Sequence, residues 1–404
     1  MTDKETIAWL RDLKTVRSQS ARLFDLAQAN ALPYFKLNMD KLPFVCDEVI
    51  KVTTLNYPNG DIPYHSRWRH FEAGASEKIT QLKASFDSPK VLARALTELV
   101  IISVLLDAGA GPNWSYKMAS GAIYTRSEGL ALASLDWYLD GGFSHCESAC
   151  HVDATALIAI RQEHLIGAFQ VSEANPLLGV EGRVGLLNRL GQVISSHPEW
   201  FGHTSRLGGF FDYLWSLSDG KTISASTIFQ AVLTVFADVW PKRNIFQGVA
   251  LGDAWHYPEL KTPTIGSDWV PFHKLSQWLT YSLLEPLEWA GLEVTDMDAL
   301  TGLPEYRNGG LFIDGGVLVP QVDDWQNQVF EPGSPFIVAW RGLTVVLLDK
   351  VAMNIRLQWG LDAASLPLAK ILQGGTWETG RKLAKLCRPD GGPPIKINSD
   401  GTIF

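Results

Sequence analysis

"VLARALTELVIISVLLDAGAGPNW", residues 91–114, can be read in two ways. As a strand running into a Gly-x-Gly loop, it would open a nucleotide-binding unit of an α/β protein. As a helix, it would be a core element of an α protein, stopped by glycines. Three features favour the helix. The apolar run is helix-length, and it is apolar nearly all round over 90–107, as a fully buried helix should be. Pro112 stands where a phosphate-binding loop needs a backbone N–H, which proline lacks. No amphipathic helix follows directly, as a dinucleotide fingerprint requires. Asp107 then lies near the end of the helix.

Outward from this stretch, helical periodicity continues. Apolar positions Ile7, Leu10, Leu13, Val16, Leu23 and Leu26 mark a helix over 4–30 that starts at Thr2/Asp3. Further helices fit 128–140, 153–169, 178–195, 222–237, 272–289, 337–358, 362–372 and 377–387. Strand signals are confined to 48–54 ("EVIKVTT"), 310–319 ("GLFIDGGVLV") and a closing hairpin over 395–404 that turns at Asp400-Gly401. There is no βαβ alternation, repeat or low-complexity linker. The expected fold is mainly α, a compact helical body with a few short β-strands. It forms one domain over 1–404, or two lobes meeting near 240–320. The irregular segments 55–72, 108–127 and 240–270 are rich in Trp, Tyr, Asp and Gly, which suits a pocket rim. Asp107, Trp114 and Trp269, in or beside them, are candidate substrate-binding residues.

A net charge of −8 argues against a nucleic-acid partner, since such proteins concentrate positive charge to displace counterions. No apolar run is long enough for a membrane span, and "LVIISVLL" stops at Asp107. The N-terminus carries charges throughout and lacks a signal-peptide core, so the expected location is cytoplasmic. Four cysteines in this length are too few for a disulfide scaffold. "HCESACH" at 145–151 has the residue types of a metal site. Zinc sites usually draw paired ligands from two separated segments, and Cys46 and Cys387 are isolated, so no metal is expected. No Gly-x-Ser-x-Gly elbow and no P-loop occurs.

Two segments carry candidate chemistry. In the helix 272–289, Lys274, Gln277, Tyr281, Glu285 and Glu288 share a face opposite Leu275, Leu279, Leu283 and Leu287. Glu285 and Glu288 read as solvated, whereas Lys274 and Gln277 could point into a pocket beside Trp269 and Trp278. Pro286 should leave the carbonyl of Ser282 without its helical partner. The second segment is "LTGLPEYRNGGLFIDGG" at 300–316, with Glu305 and Asp314 flanking Tyr306, Arg307 and an apolar "LFI". Paired carboxylates suit glycosidic cleavage, one stabilising a cationic sugar and the other assisting water or the leaving group. Arg307 could hold a carboxylate or a ligand's hydroxyls. The alternative is a glycine-rich hairpin with exposed charges.

"DIPYHSRWRHF", "LLDAGAGPNWSY", "RSEGLALASLDWYLDGG" and "LTGLPEYRNGGLFIDGGVL" together resemble the uracil catabolism protein four family, a domain-of-unknown-function family of bacteria and fungi. The resemblance covers nearly the whole chain and implies pyrimidine breakdown through a ribosylated urea. A shorter similarity is to queuosine salvage proteins, N-glycoside hydrolases related in fold to helical DNA glycosylases. "PEYR" and "HKLSQ" are the residues that match, with Glu305 where those proteins carry aspartate. The two resemblances imply a metal-independent N-ribohydrolase acting on a small ribosylated substrate. Glu305 and Asp314 would be catalytic, and Arg307, Tyr306, Lys274 and Gln277 substrate-binding, with no cofactor. The competing readings are a non-catalytic binding subunit of the same route and an S-adenosylmethionine-dependent methyltransferase using "DAGAG". Substrate phosphorylation and oligomeric state stay open.

Overall fold

The computed structural model describes residues 2–107, 109–146 and 149–398, and the chain is mainly helical. Among these residues it divides into two compact units. The first takes 2–65, 242–277 and 296–398, and the second 66–241 and 278–295. The strands are short and pair only in twos.

The opening stretch is a helix, Pro89–Leu105, and it forms the core of the second unit. Leu96, Leu99, Val100, Ile101 and Ile102 are wholly buried, each contributing about 1.5–3 kcal/mol relative to exposure. This helix packs on Arg126–Leu139, which also packs against Arg67–Ala84. Val180–Ser196 packs against the short helix Ala154–Ala159, where Gly191 is required because a Cβ would lie 2.9 Å from the Ala154 carbonyl oxygen. In the first unit, the long helix Pro335–Trp359 packs on Leu13–Gln28, and Tyr306–Asp314 lies against Trp377–Cys387.

Several expected boundaries shift for local reasons. Thr2 caps the first helix in a reciprocal capping box with Glu5, but that helix ends at Leu10 and a second begins after Asp12, whose carboxylate accepts from Lys14 N–H. The expected helix 153–169 breaks between Ala154–Ala159 and Gln162–Ala168. Residues 222–224 form a strand parallel to Glu293–Thr295 before the helix Ala225–Val235 begins. Of 362–372 only Leu368–Ile371 is α-helical, and a π-helical turn, Leu372–Thr376, joins it to the next helix. Within the irregular segment 55–72, a helix starts at Arg67.

Two strand expectations fail. Residues 48–54 lie inside the helix Leu42–Asn56: Val45, Cys46, Val49, Val52 and Thr53 are buried at helical spacing, and that pattern outweighs their β-branched chemistry. Residues 310–319 are helical to Asp314, and strand only at Leu318–Pro320, which pairs antiparallel with Phe35–Leu37. At the C-terminus, Lys396–Ile397 pairs in parallel with Val329–Phe330. The expected turn at Asp400-Gly401 lies outside the described residues. No helix among the described residues is long and apolar enough to cross a membrane.

The helix Lys274–Trp289 is buried almost all round, which changes the reading of its acidic face. Glu285 is not solvated. It accepts from Ser66 Oγ at 2.6 Å and Arg69 Nη2 at 2.8 Å. The Ser282 carbonyl freed by Pro286 is taken by the Trp68 indole N–H at 3.0 Å, so the break in the helical ladder is satisfied from outside.

Candidate active site

"PEYRNGG" is the start of a helix, not a hairpin. Glu305 is the N-cap of Tyr306–Asp314, and its carboxylate accepts from Arg307 N–H and Asn308 N–H, both at 2.6 Å. Those are two of the orphan donors of the first turn, and the helix dipole favours a negative charge there. Among the described residues no side chain donates to this carboxylate. Glu305 keeps partial exposure to solvent. Burial pushes its carboxyl up from the usual value, and the two N–H groups and the positive charges of Lys274 and Arg307 partly offset that.

The glycines of this stretch serve close packing, not looseness. A Cβ on Gly309 would stand 2.7 Å from the Trp340 ring, whose N–H donates to the Gly309 carbonyl at 3.0 Å. Asn308 is buried and donates to the Leu303 carbonyl at 3.1 Å while accepting from Thr376 Oγ at 2.9 Å in the π-helical turn. The N-terminal turn carrying Glu305 is therefore fixed on three sides.

Asp314 stands at the opposite end of the same helix. Nine residues at about 1.5 Å each put it roughly 13 Å along the axis, beyond the roughly 5–9.5 Å that separates paired glycosidase carboxylates. Both of its oxygens are taken by Arg388, at 2.7 and 2.6 Å. The two carboxylates of the quoted stretch are not a catalytic pair, and Asp314 is a structural anchor for the segment after Cys387.

The other expected residues divide similarly. The guanidinium of Arg307 donates to the Gly391 carbonyl at 2.8 Å and lies over the Tyr306 ring, and it makes no hydrogen bond to Glu305 among the described residues. Gln277 is wholly buried. Its amide donates to the Phe272 carbonyl and Thr301 Oγ, both at 2.9 Å, and its oxygen accepts from Thr301 N–H at 2.7 Å. It positions the chain leading to Glu305. Trp269 packs in a core cluster with Leu10, Leu251 and Ala254. In the second unit, Asp107 pairs with the buried Arg67 at 2.8 Å, and the Trp114 indole donates to the Phe169 carbonyl at 2.9 Å. Asp107 and Trp114 are thus built into the second unit, while Glu305, Lys274, Tyr306, Arg307, Gln277 and Trp269 belong to the first.

Sequence reasoning missed Asp253 and Arg341. Arg341 donates to both oxygens of Asp253 at 2.6 and 2.8 Å, to the Pro304 carbonyl at 3.3 Å, and stacks on Phe272. Asp253 also accepts from Trp255 Nε1 at 2.8 Å and Lys274 N–H at 2.9 Å. Burial pushes the Asp253 carboxyl up, but the Arg341 guanidinium and these donors outweigh it and hold it well below the usual range. This pair ties the start of Lys274–Trp289 to the residue before Glu305. A signal existed: Arg341 is the only charge between Pro335 and Leu348, in an otherwise apolar helix. Among the described residues no group of three or more His, Cys, Asp or Glu is arranged to hold a metal ion; Glu147 of the 145–151 cluster lies outside them.

Comparison with known proteins agrees with a full-length relationship. The chain is 40% identical over 413 residues to "Protein urg3" of Schizosaccharomyces pombe, covering 99% of both chains. It is 35% identical over 443 residues to "Uracil catabolism protein 4" of Lachancea kluyveri, covering 100% of both. Residues 9–404 match a family model, and the chain belongs to that family, "Protein of unknown function (DUF1688)".

Proposed function

We propose that the protein is an N-ribohydrolase of uracil catabolism, cleaving the ribose–nitrogen bond of a ribosylurea-type compound with Glu305 as its catalytic carboxylate. The name of the Lachancea kluyveri relative supports the pathway. The observation that carries the chemistry is the state of Glu305: a half-buried residue whose carboxylate is fixed by two main-chain N–H groups and taken by no side-chain donor among the described residues.

As the C1′–N bond breaks, its electron pair leaves with nitrogen and positive charge develops at the anomeric carbon. A fixed anion beside that carbon stabilises the transition state more than the neutral ground state. Water adds at C1′ and its proton passes to Glu305, while the leaving nitrogen takes a proton that we assign to Lys274. The positive charge of Lys274 also favours the ionised form of Glu305. Asp253 and Arg341 act as positioning residues, fixing Lys274 N–H and Pro304. The methyltransferase reading loses its support because a helix, not a strand, precedes the "DAGAG" loop.

The test is incubation of the purified protein with ribosylurea, with and without a 5′-phosphate, followed by assay for free ribose or ribose phosphate. Release of either supports the reading. Absence of release from both, with binding retained, would make the protein a non-catalytic subunit of the route.

A further inference from the structure

The segment after Gly142 in the second unit holds an arrangement that the proposed hydrolysis does not use. Cys146 Sγ lies 3.0 Å from Nε2 of His145, and the other ring nitrogen, Nδ1, lies 3.0 Å from Asp153 Oδ2. A nucleophile within hydrogen-bond reach of a base that is itself oriented by a third group is the structural signature of an activated nucleophile. We propose that Cys146 is a reactive thiol, activated by His145 and positioned by Asp153, that undergoes reversible exchange with low-molecular-weight disulfides.

The local structure fits each role. Asp153 is nearly buried, with a side-chain exposure of 5%, and it is fixed from several sides. One oxygen accepts from Ala156 N–H at 3.0 Å and so caps the helix Ala154–Ala159. The other accepts from the His145 main-chain N–H at 2.9 Å as well as facing the His145 ring. Because the carboxylate only accepts, it holds the proton of the neutral imidazole on Nδ1 and leaves Nε2 as an acceptor toward the thiol. His151 approaches the same carboxylate oxygen at 3.7 Å. The reacting end is open: Cys146 is exposed, and 54% of the His145 side chain is accessible. A small disulfide can therefore reach the sulfur.

In the exchange, the thiol proton moves to His145 Nε2 and the thiolate attacks one sulfur of the reagent. The reagent's S–S bond breaks, a mixed disulfide forms on Cys146, and the departing thiolate takes a proton from the imidazolium or water. There is no net oxidation, and added dithiol reverses it.

Cys387 provides a slow internal reference: it is also exposed, no histidine contact is found for it among the described residues, and burial and the Asp314 carboxylate push its thiol up. The experiment treats the full-length protein with glutathione disulfide at about pH 7, where an ordinary thiol is only a few per cent ionised. Peptide mass spectrometry then follows the mixed disulfide at each cysteine. Cys146 should react about tenfold faster than Cys387, as expected when a neighbouring imidazole takes up the thiol proton during attack. His145→Gln should slow Cys146 about tenfold and leave Cys387 unchanged, which separates the imidazole's effect from the raised Cys387 thiol. Asp153→Asn keeps a capping side chain and should slow Cys146 as well, so it serves where His145→Gln fails to fold. Equal rates at the two cysteines in the wild-type protein, or a fast Cys146 in a folded His145→Gln or Asp153→Asn variant, would overturn the proposal.

Discussion

The two ends of the helix Tyr306–Asp314 carry one carboxylate each, and the two are in opposite states. Glu305, at the N-terminus, is satisfied by two main-chain N–H groups and accepts from no side chain among the described residues. Asp314, at the C-terminus, has both oxygens taken by Arg388. A carboxylate at a helix N-terminus can be fixed by the backbone alone, because the dipole and the orphan donors favour it. At the C-terminus the dipole has the wrong sign, so a carboxylate there needs a counter-charge. The first arrangement leaves a fixed anion free to face a ligand, and the second consumes the charge in holding the fold. Asp253 belongs with Asp314, since its charge is spent on Arg341.

The sharpest structural consequence concerns that third carboxylate. Arg341→Met would leave the largely buried Asp253 without its counter-charge, which typically costs about 3–5 kcal/mol. Chemical denaturation should show a loss of that size, and an unchanged midpoint would remove the pair from the account. Next comes the C-terminal end of the helix. Asp314→Asn should cost about 1–3 kcal/mol by leaving a charged partner under-satisfied, while turnover of whatever substrate the wild type cleaves stays within a few-fold. A large loss of turnover with unchanged stability would reverse the roles assigned to the two carboxylates.

A smaller effect is on pH. The folded Glu305 carboxyl is raised above its ordinary value, so its ionised form is disfavoured on folding. That contribution to stability is lost as pH rises and regained as pH falls through the raised value. The proposed hydrolysis needs the ionised form, so the acidic limb of its rate profile should lie above about 4.3, the unperturbed glutamate value. A limb at or below it would contradict the assignment. The smallest effect is the stability of Glu305→Gln. Glutamine keeps an oxygen for one of the two capping bonds and loses the other, so the change should cost about 1 kcal/mol by thermal melting.

Much of the fold was legible because helical periodicity is a property of the chain itself. The buried helix Pro89–Leu105 follows from length, all-round apolarity and Pro112. What failed was context. "EVIKVTT" has strand chemistry, but the burial of Val45, Val49 and Val52 on one helical face decides it. "NGG" looked like a loosened turn because glycine's small volume and its flexibility leave the same mark in a sequence, and only the Trp340 ring beside Gly309 separates them. For the candidate site, the sequence singled out Glu305 and Lys274 but could not give their setting. Gln277, Arg307, Asp314, Trp114 and Trp269 have the right chemistry for a pocket, yet each makes main-chain, ion-pair or core contacts that a sequence does not display.

The central claim is that Glu305 supplies a charge used in the reaction, whereas Asp314 supplies one used in the fold. Turnover of ribosylurea by wild type, Glu305→Gln and Asp314→Asn, measured side by side as ribose released, tests it most directly. The account predicts a loss of roughly a hundred- to thousand-fold for Glu305→Gln and near-normal turnover for folded Asp314→Asn. Near-normal release by Glu305→Gln would contradict it.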